Sequence, residues 1–157
     1  MRGGLDNDSL YGDAGNDTLE GGAGSDYVSG GMGSDTYLFG RGDGQDTVSD
    51  YESAPNLDVL SLSADISADQ LWFRRVGSGL EVGVIGTADK LSISSWYSGS
   101  AHHVERITTA DGKTLLDTQV DSLVSAMASF APPAAGQGTL PADYRVSLEP
   151  VLASSWT

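Results

Sequence analysis

The chain contains no cysteine, which excludes disulfides, thiolate zinc sites and a cysteine nucleophile. Basic residues are scarce: 8 Lys and Arg stand against 22 Asp and Glu, a formal charge of −14 over 157 residues. That balance argues against nucleic acid and anionic membrane surfaces as partners. Hydrophobic residues make up only 39%, below the usual share of a globular domain. The most apolar stretch, Leu123 to Pro133, is too short and too broken by serine to span a bilayer. Met1-Arg2 is followed by Gly3-Gly4 and not by an apolar segment, so no N-terminal secretory signal is read. Glutamate is rare among the acids, 5 against 17 aspartates. Short carboxylates suit tight loops and hard cations, whereas glutamate suits helices.

What the chain does have is glycine, 21 residues, and 13 of them lie between Gly3 and Gly44. Charge is just as uneven. Residues 1–58 carry 12 acids and two arginines, whereas residues 59–157 carry 10 acids and 6 bases. A segment so charged and so poor in large apolar residues should not fold unaided. Four gapless nine-residue units run from Gly3: GGLDNDSLY, GDAGNDTLE, GGAGSDYVS and GGMGSDTYL. After Phe39-Gly40 a fifth, degenerate unit follows as RGDGQDTVS. The sixth position is always Asp (Asp8, Asp17, Asp26, Asp35, Asp46) and the eighth is always large and apolar (Leu10, Leu19, Val28, Tyr37, Val48).

Six glycine-rich residues and then three β-formers describe a turn and a very short strand. Two such units make one coil of a flattened, parallel β-helix, with the eighth side chain pointing inward. Asp8 would then stack on Asp26, Asp17 on Asp35, and Asp26 on Asp46. Bare carboxylates about 5 Å apart repel by about 1 kcal/mol in water and about 3 kcal/mol at an effective dielectric of 20. Calcium, a hard ion that takes six or more oxygens, reverses the sign of that interaction; magnesium wants a smaller, stricter octahedron. An EF-hand does not fit, because Tyr11 stands where that loop needs Gly and Asp17 where it needs Glu.

From Asp58 onward the sequence reads conventionally. Strands are expected at Val59–Leu62, Leu71–Val76 (after a helical turn from Ser67), Leu80–Val84, Leu91–Ile93, Val104–Thr108 and Thr114–Leu116, the last two flanking the turn pair Asp111-Gly112. Val120, Leu123, Val124 and Met127 follow helical spacing after Asp117. Residues 131–143 read as a linker and 144–157 as a loosely held tail. Trp72, Phe73, Trp96 and Tyr97 are candidates for a core that covers the open end of the β-helix. His102-His103 with Glu105 has no HExxH pattern, Arg41-Gly42-Asp43 lies inside the degenerate turn, and no nucleophile elbow is present. Asp50 and Asp58 either add ligands below the last turn or are simply solvated.

The nonapeptides resemble the calcium-binding repeats of RTX (repeats-in-toxin) proteins. The stretch DQLWFRRVGSGLEVGVIGTADKLSISSWY resembles the region after the last repeat block of large RTX toxins. DSLVSAMASFAPP through SLEPVLASSWT is similar to the carboxyl end of toxins of the adenylate cyclase–haemolysin type. The resemblance implies an all-β fold: a parallel β-roll at 1–50, a mostly antiparallel β capping flank at 51–116, and one C-terminal helix, linker and secretion tail at 117–157. It implies Ca2+ as the bound ion. It carries over the carboxylates of Asp6, Asp8, Asp17, Asp26, Asp35 and Asp46 as ligands. With them come turn carbonyls of Gly4, Gly12, Gly15, Gly21, Gly22, Gly24, Gly30, Gly31, Gly33, Gly42 and Gly44. Asp6, Asp13 and Arg41 depart from the glycine pattern, and the two-residue insertion disturbs the third stacked pair. The expected function is a non-catalytic calcium-folded module, monomeric and extracellular, of a larger protein exported by type I secretion machinery. Two rivals are a glycan- or receptor-binding module and the accessory domain of a secreted hydrolase.

Overall fold

The structure is a computed structural model and describes all 157 residues. Twelve strands and two helices follow one another: β1 (Arg2–Leu5), β2 (Ser9–Tyr11), β3 (Thr18–Ala23), β4 (Tyr27–Ser29), β5 (Thr36–Phe39), β6 (Gln45–Val48), β7 (Val59–Leu62), β8 (Leu71–Val76), β9 (Gly79–Val84), β10 (Lys90–Ile93), β11 (Arg106–Thr108), β12 (Thr114–Leu116), α1 (Asp117–Met127) and α2 (Ala142–Ser155). They form two six-stranded sheets, ordered β1-β3-β5-β7-β11-β12 and β2-β4-β6-β10-β9-β8. Odd and even repeat strands go to opposite sheets because each glycine-rich turn sends the chain across to the other face.

Both sheets are mixed. Pairing is parallel from β1 through β11 in the first sheet and from β2 through β10 in the second. It becomes antiparallel at β11–β12 and at β10–β9–β8. The flank is thus not a separate antiparallel cap, as expected from sequence; it continues both sheets. The eighth-position residues set its register. Leu19, Tyr37, Leu60, Ile107 and Leu115 stack as neighbours on one side. Leu10, Val28, Val48, Ile93 and Leu80 stack on the other. One connected hydrophobic core runs from Leu10 to Trp156.

Two further corrections concern the carboxyl end. It carries two helices where one was expected, and residues 144–157 are not loosely held. In α2, Leu148 and Leu152 are buried, as is Trp156 just beyond it. The helix packs on α1, and α1 packs on β8. The backbone of Thr157 exchanges two 2.9 Å hydrogen bonds with Thr114 of β12, which covers the outer edge of the first sheet. Trp72, Phe73 and Trp96 are core residues, and Tyr97 packs partly buried against them.

Candidate metal centre

The turns between repeat strands are built on left-handed backbone. Second-position Gly4, Gly22, Gly31 and Gly42 and fourth-position Gly15, Gly24, Gly33 and Gly44 all have positive φ. Asp13 (φ 71°) and Asp6 (φ 77°), which replace glycine at those positions, also take positive φ, nearer the left-handed well that aspartate tolerates better than most residues. A side chain at Gly22 would strike the carbonyl of Gly4, one at Gly31 that of Asp13, and one at Gly33 that of Gly15. Nothing lies within 4 Å of that direction at Gly4, Gly15 or Gly42. Glycine is therefore compulsory where a turn lies on the preceding coil, and only conformationally convenient where it does not.

The sixth-position aspartates make a ladder. The amide of Asp8 donates to Asp26 Oδ1 at 2.8 Å, that of Asp17 to Asp35 Oδ1 at 2.8 Å, and that of Asp26 to Asp46 Oδ1 at 3.0 Å. The three expected pairs are thus brought together, the pair that crosses the insertion included. Asp26, Asp35 and Asp46 thus each spend one oxygen on the coil before them. Oδ2 of Asp8, Asp17, Asp26 and Asp35 is buried and has no hydrogen-bond partner. No Lys, Arg or His forms an ion pair with any of the five ladder aspartates. First-position glycines make room for the orphaned oxygens: a Cβ at Gly3 or Gly12 would lie 2.7 Å from Oδ2 of Asp8 or Asp17.

Electrostatics agree with the geometry. Burial pushes the Asp46 carboxyl up to about 7, with Asp26 adding repulsion. Burial also raises Asp35, and Asp58, Asp17 and Glu52 raise it further, against the pull of the Asp17 amide. A buried carboxylate without a counterion is expensive, and it answers by taking a proton or a cation. Every donor at these turns is oxygen, the donor set of a hard divalent ion. Three or more His, Asp or Glu side chains nowhere gather as a metal-holding set. A cation between coils would therefore draw on backbone carbonyls as well as aspartates.

The ladder extends beyond the repeats to Asp58, one of the two acids read below the last turn, and then to Glu105, which sequence reasoning missed. The amide of Asp35 donates to Asp58 Oδ1 at 2.6 Å, and that of Asp58 to Glu105 Oε2 at 2.7 Å. Asp58-Val59-Leu60 and Glu105-Arg106-Ile107 repeat the acid–any–apolar signature of positions six to eight, which was the available signal. On the other side Asp89 accepts from the amides of Gly42 and Gly44 at 3.0 and 3.1 Å, closing the degenerate turn. Asp43 is occupied locally with the Gly40 amide, and Arg41 reaches the Asp65 carbonyl. The two histidines face different partners. His102 Nδ1 meets the Asp50 carbonyl, whereas His103 stacks on Trp96 at 4.0 Å and pairs with Asp117.

Comparison with known proteins decides what such turns belong to. The family model of the RTX calcium-binding nonapeptide repeat matches residues 2–37. The chain carries an RTX calcium-binding repeat block. A second model, the haemolysin-type calcium binding protein related domain, matches residues 80–119, from β9 into α1. The iron-regulated protein FrpA of Neisseria meningitidis serogroup C is 45% identical over 122 residues, 75% of this chain. The chain spans 11% of that relative's length. The RTX block binds Ca2+, and the orphaned Oδ2 atoms fit an oxygen-seeking ion. The RTX match stops at residue 37, so the degenerate turn and the Asp58 step lie outside it.

Proposed function

We propose that this chain is a calcium-folded, non-catalytic module of a secreted RTX protein. Without calcium, the carboxylate ladder keeps the repeats of residues 1–50 open and able to thread a narrow type I secretion channel. Outside the cell, where calcium is abundant, the ion fills the gaps between stacked turns and binding free energy becomes folding free energy. The ligands are the carboxylates of Asp8, Asp17, Asp26, Asp35 and Asp46 with carbonyls of the glycine turns. The parallel strands of the repeats act as a β-roll, and the flank gives them a folded edge on which to stack. Helix α2 and the residues around it serve as the tail that the secretion machinery engages, and the module is a monomer.

The observation that carries this reading is the row of ladder aspartates, four of which (Asp8, Asp17, Asp26 and Asp35) hold a buried oxygen lacking any partner and none of which has a cationic side chain beside it. An aromatic ligand platform has less support, because Trp72, Phe73 and Trp96 are at most 6% exposed. No helix is long and apolar enough to cross a membrane.

The test is a calcium titration from chelated protein, followed by far-UV circular dichroism and tryptophan fluorescence, with magnesium as control. A coil-to-β transition with calcium and none with magnesium is expected. A chelated protein with full β signal would overturn the folding role. All three tryptophans lie beyond residue 71, so fluorescence reports the flank while circular dichroism reports mainly the repeats.

A further inference from the structure

The fifth and sixth positions of each repeat work as a pair. Asn7 and Asn16 stand at position five, directly before the ladder aspartates Asp8 and Asp17. The backbone amide of Ser25 donates to Asn7 Oδ1 at 2.8 Å, and that of Ser34 to Asn16 Oδ1 at 3.0 Å. These bonds run opposite to those of the carboxylates. Asp26 accepts the amide of Asp8 from the coil before, whereas Asn7 accepts the amide of Ser25 from the coil after. Stacked turns therefore hold each other through a closed exchange, Asn7-Asp8 with Ser25-Asp26 and Asn16-Asp17 with Ser34-Asp35. The exchange recurs at the joint with the flank, where the Leu57 amide donates to Ser34 Oγ at 3.0 Å and the Asp35 amide to Asp58. It is broken at one step. Beside the two-residue insertion the Gln45 amide goes to the Gly24 carbonyl at 3.0 Å and not to the Ser25 hydroxyl. Glycine at position four clears the way for the asparagines: a Cβ at Gly24 would lie 3.3 Å from Asn7 Oδ1, and one at Gly33 3.1 Å from Asn16 Oδ1.

We propose that Asn7 and Asn16 are positioning residues, whose side-chain oxygens fix the turn of the following coil and so aim the carboxylates of Asp26 and Asp35. The amides they hold belong to Ser25 and Ser34, the residues directly before those two aspartates. With that amide tied on one side and Oδ1 tied to the coil before on the other, each carboxylate has little freedom left. Its buried Oδ2 stays without a hydrogen-bond partner. An asparagine oxygen is a neutral acceptor, so it sets the register of the coils without adding to the repulsion between stacked carboxylates. Groups held in place beforehand lose less entropy when an ion binds. The hydroxyl of Ser34 does the same work for the Leu57 amide, so position five needs an acceptor and not asparagine as such.

This role rests on the reading of the repeats as calcium sites, and the experiment separates the two. Calcium-induced folding is followed by far-UV circular dichroism for the unaltered chain, Asn7→Ala, Asn16→Ala, Asn16→Ser and Ser25→Ala. Bound calcium per chain is counted at saturation by equilibrium dialysis. At a calcium concentration near the unaltered midpoint, each asparagine-to-alanine variant should lower the folding equilibrium constant about threefold, the lower range for one hydrogen bond because both side chains are exposed. The count at saturation should stay the same, since no ligand is removed. Asn16→Ser restores an acceptor oxygen of the kind used at Ser34 and should recover most of the loss. Ser25→Ala, which removes a hydroxyl that holds no amide of the next coil, should match the unaltered chain. Alanine variants equal to the unaltered chain overturn the positioning role and leave the repeat reading standing. So does an Asn16→Ser no better than Asn16→Ala, or a Ser25→Ala as weak as either, because the acceptor oxygen is then not what matters. An ion lost in Asn16→Ala makes the asparagine a ligand and overturns the role too. An unaltered chain that binds no calcium overturns the repeat reading and this role with it. Should Asn16→Ala fail to fold at any calcium concentration, Asn7→Ala decides the matter, because its coil lies at the edge of both sheets.

Discussion

In the repeats, β2, β3 and β4 each bury a single large apolar side chain, Leu10, Leu19 and Val28, whereas in the flank β9 alone buries Leu80, Val82 and Val84. The flank adds Trp72, Phe73, Trp96 and two helices to that core. Apolar burial contributes about 25 cal/mol per Å2, so strands with one inward residue gain little against the entropy of ordering their turns. The repeats also bury aspartates with unpartnered oxygens, while the acids of β9 and its neighbours are neutralised, as where Glu81 meets both Arg74 and Lys90. The two regions share continuous sheets yet are held by different forces, and those forces answer to different perturbations.

The largest expected effect comes from the stacked glycines. Gly31→Ala drives a methyl group into the Asp13 carbonyl and should abolish the calcium-induced β signal, leaving the tryptophan emission of the flank near its folded value. Gly15→Ala, also at positive φ (129°) but with open space around it, should cost only its backbone strain, about 1–3 kcal/mol, and keep the calcium-induced transition. Equal losses in the two variants would show that conformation, and not coil contact, makes these glycines necessary.

Next come the core truncations, each about 2–5 kcal/mol. Leu123→Ala, in α1 and fully buried, should lower the thermal midpoint with calcium and with chelator alike. Leu19→Ala, in the repeat ladder, should lower it only with calcium present. If Leu19→Ala destabilises the chelated protein as well, the repeats are already folded there and the contrast fails.

Smaller again is the difference between two rungs. Asp26 accepts the amide of Asp8 and passes its own to Asp46, whereas Asp8 takes part in one such step. Asp26→Ala should shift the calcium midpoint further upward than Asp8→Ala in the same titration, and coincident midpoints would sink that stacking order.

The mildest effect is that of pH on the metal-free protein. Burial pushes Asp46 up to about 7 and, with Asp58 beside it, Asp50 up to about 8. A carboxyl raised in the folded form binds its proton more tightly there than in the unfolded chain, so stability is greatest below pH 4 for these groups and falls as pH rises through 7 to 8. In chelator, where the repeats are open at pH 8, lowering the pH to 5 should restore part of their β signal, because the folded form takes up these protons more tightly. In calcium the order should invert, because protons displace the ion. No inversion would mean that calcium does not bind at these carboxylates.

Much of this was legible in the residues alone. A nine-residue period with Asp at six and an apolar residue at eight states the turn, the strand and the inward face. Asp111-Gly112 marked the β11–β12 hairpin, and the spacing from Val120 to Met127 marked α1. Helix α2 was not legible: Pro150 stands inside it and only Leu148, Leu152 and Ser155 of its residues are buried, too weak a pattern to name a helix. Its conformation comes from packing on α1, as is usual for helices of marginal intrinsic stability. Asp58 was legible only as one of two acids below the last turn, and the ladder position of Glu105 was hidden, for another reason. The chain between rungs lengthens from 18 residues, Asp17 to Asp35, to 23 and then 47, and a fixed-period search ends at the first irregular interval.

Local chemistry, then, was written in the order of residues. Glycine sets which turns are possible, aspartate how much charge they hold, and the eighth position what points inward, because each depends on neighbours along the chain. Only the tertiary structure decided that the flank carries both sheets onward, that its acids extend the ladder, and that the carboxyl terminus closes on Thr114. Those contacts join residues far apart in sequence, and spacing along the chain cannot express a partner that arrives through space.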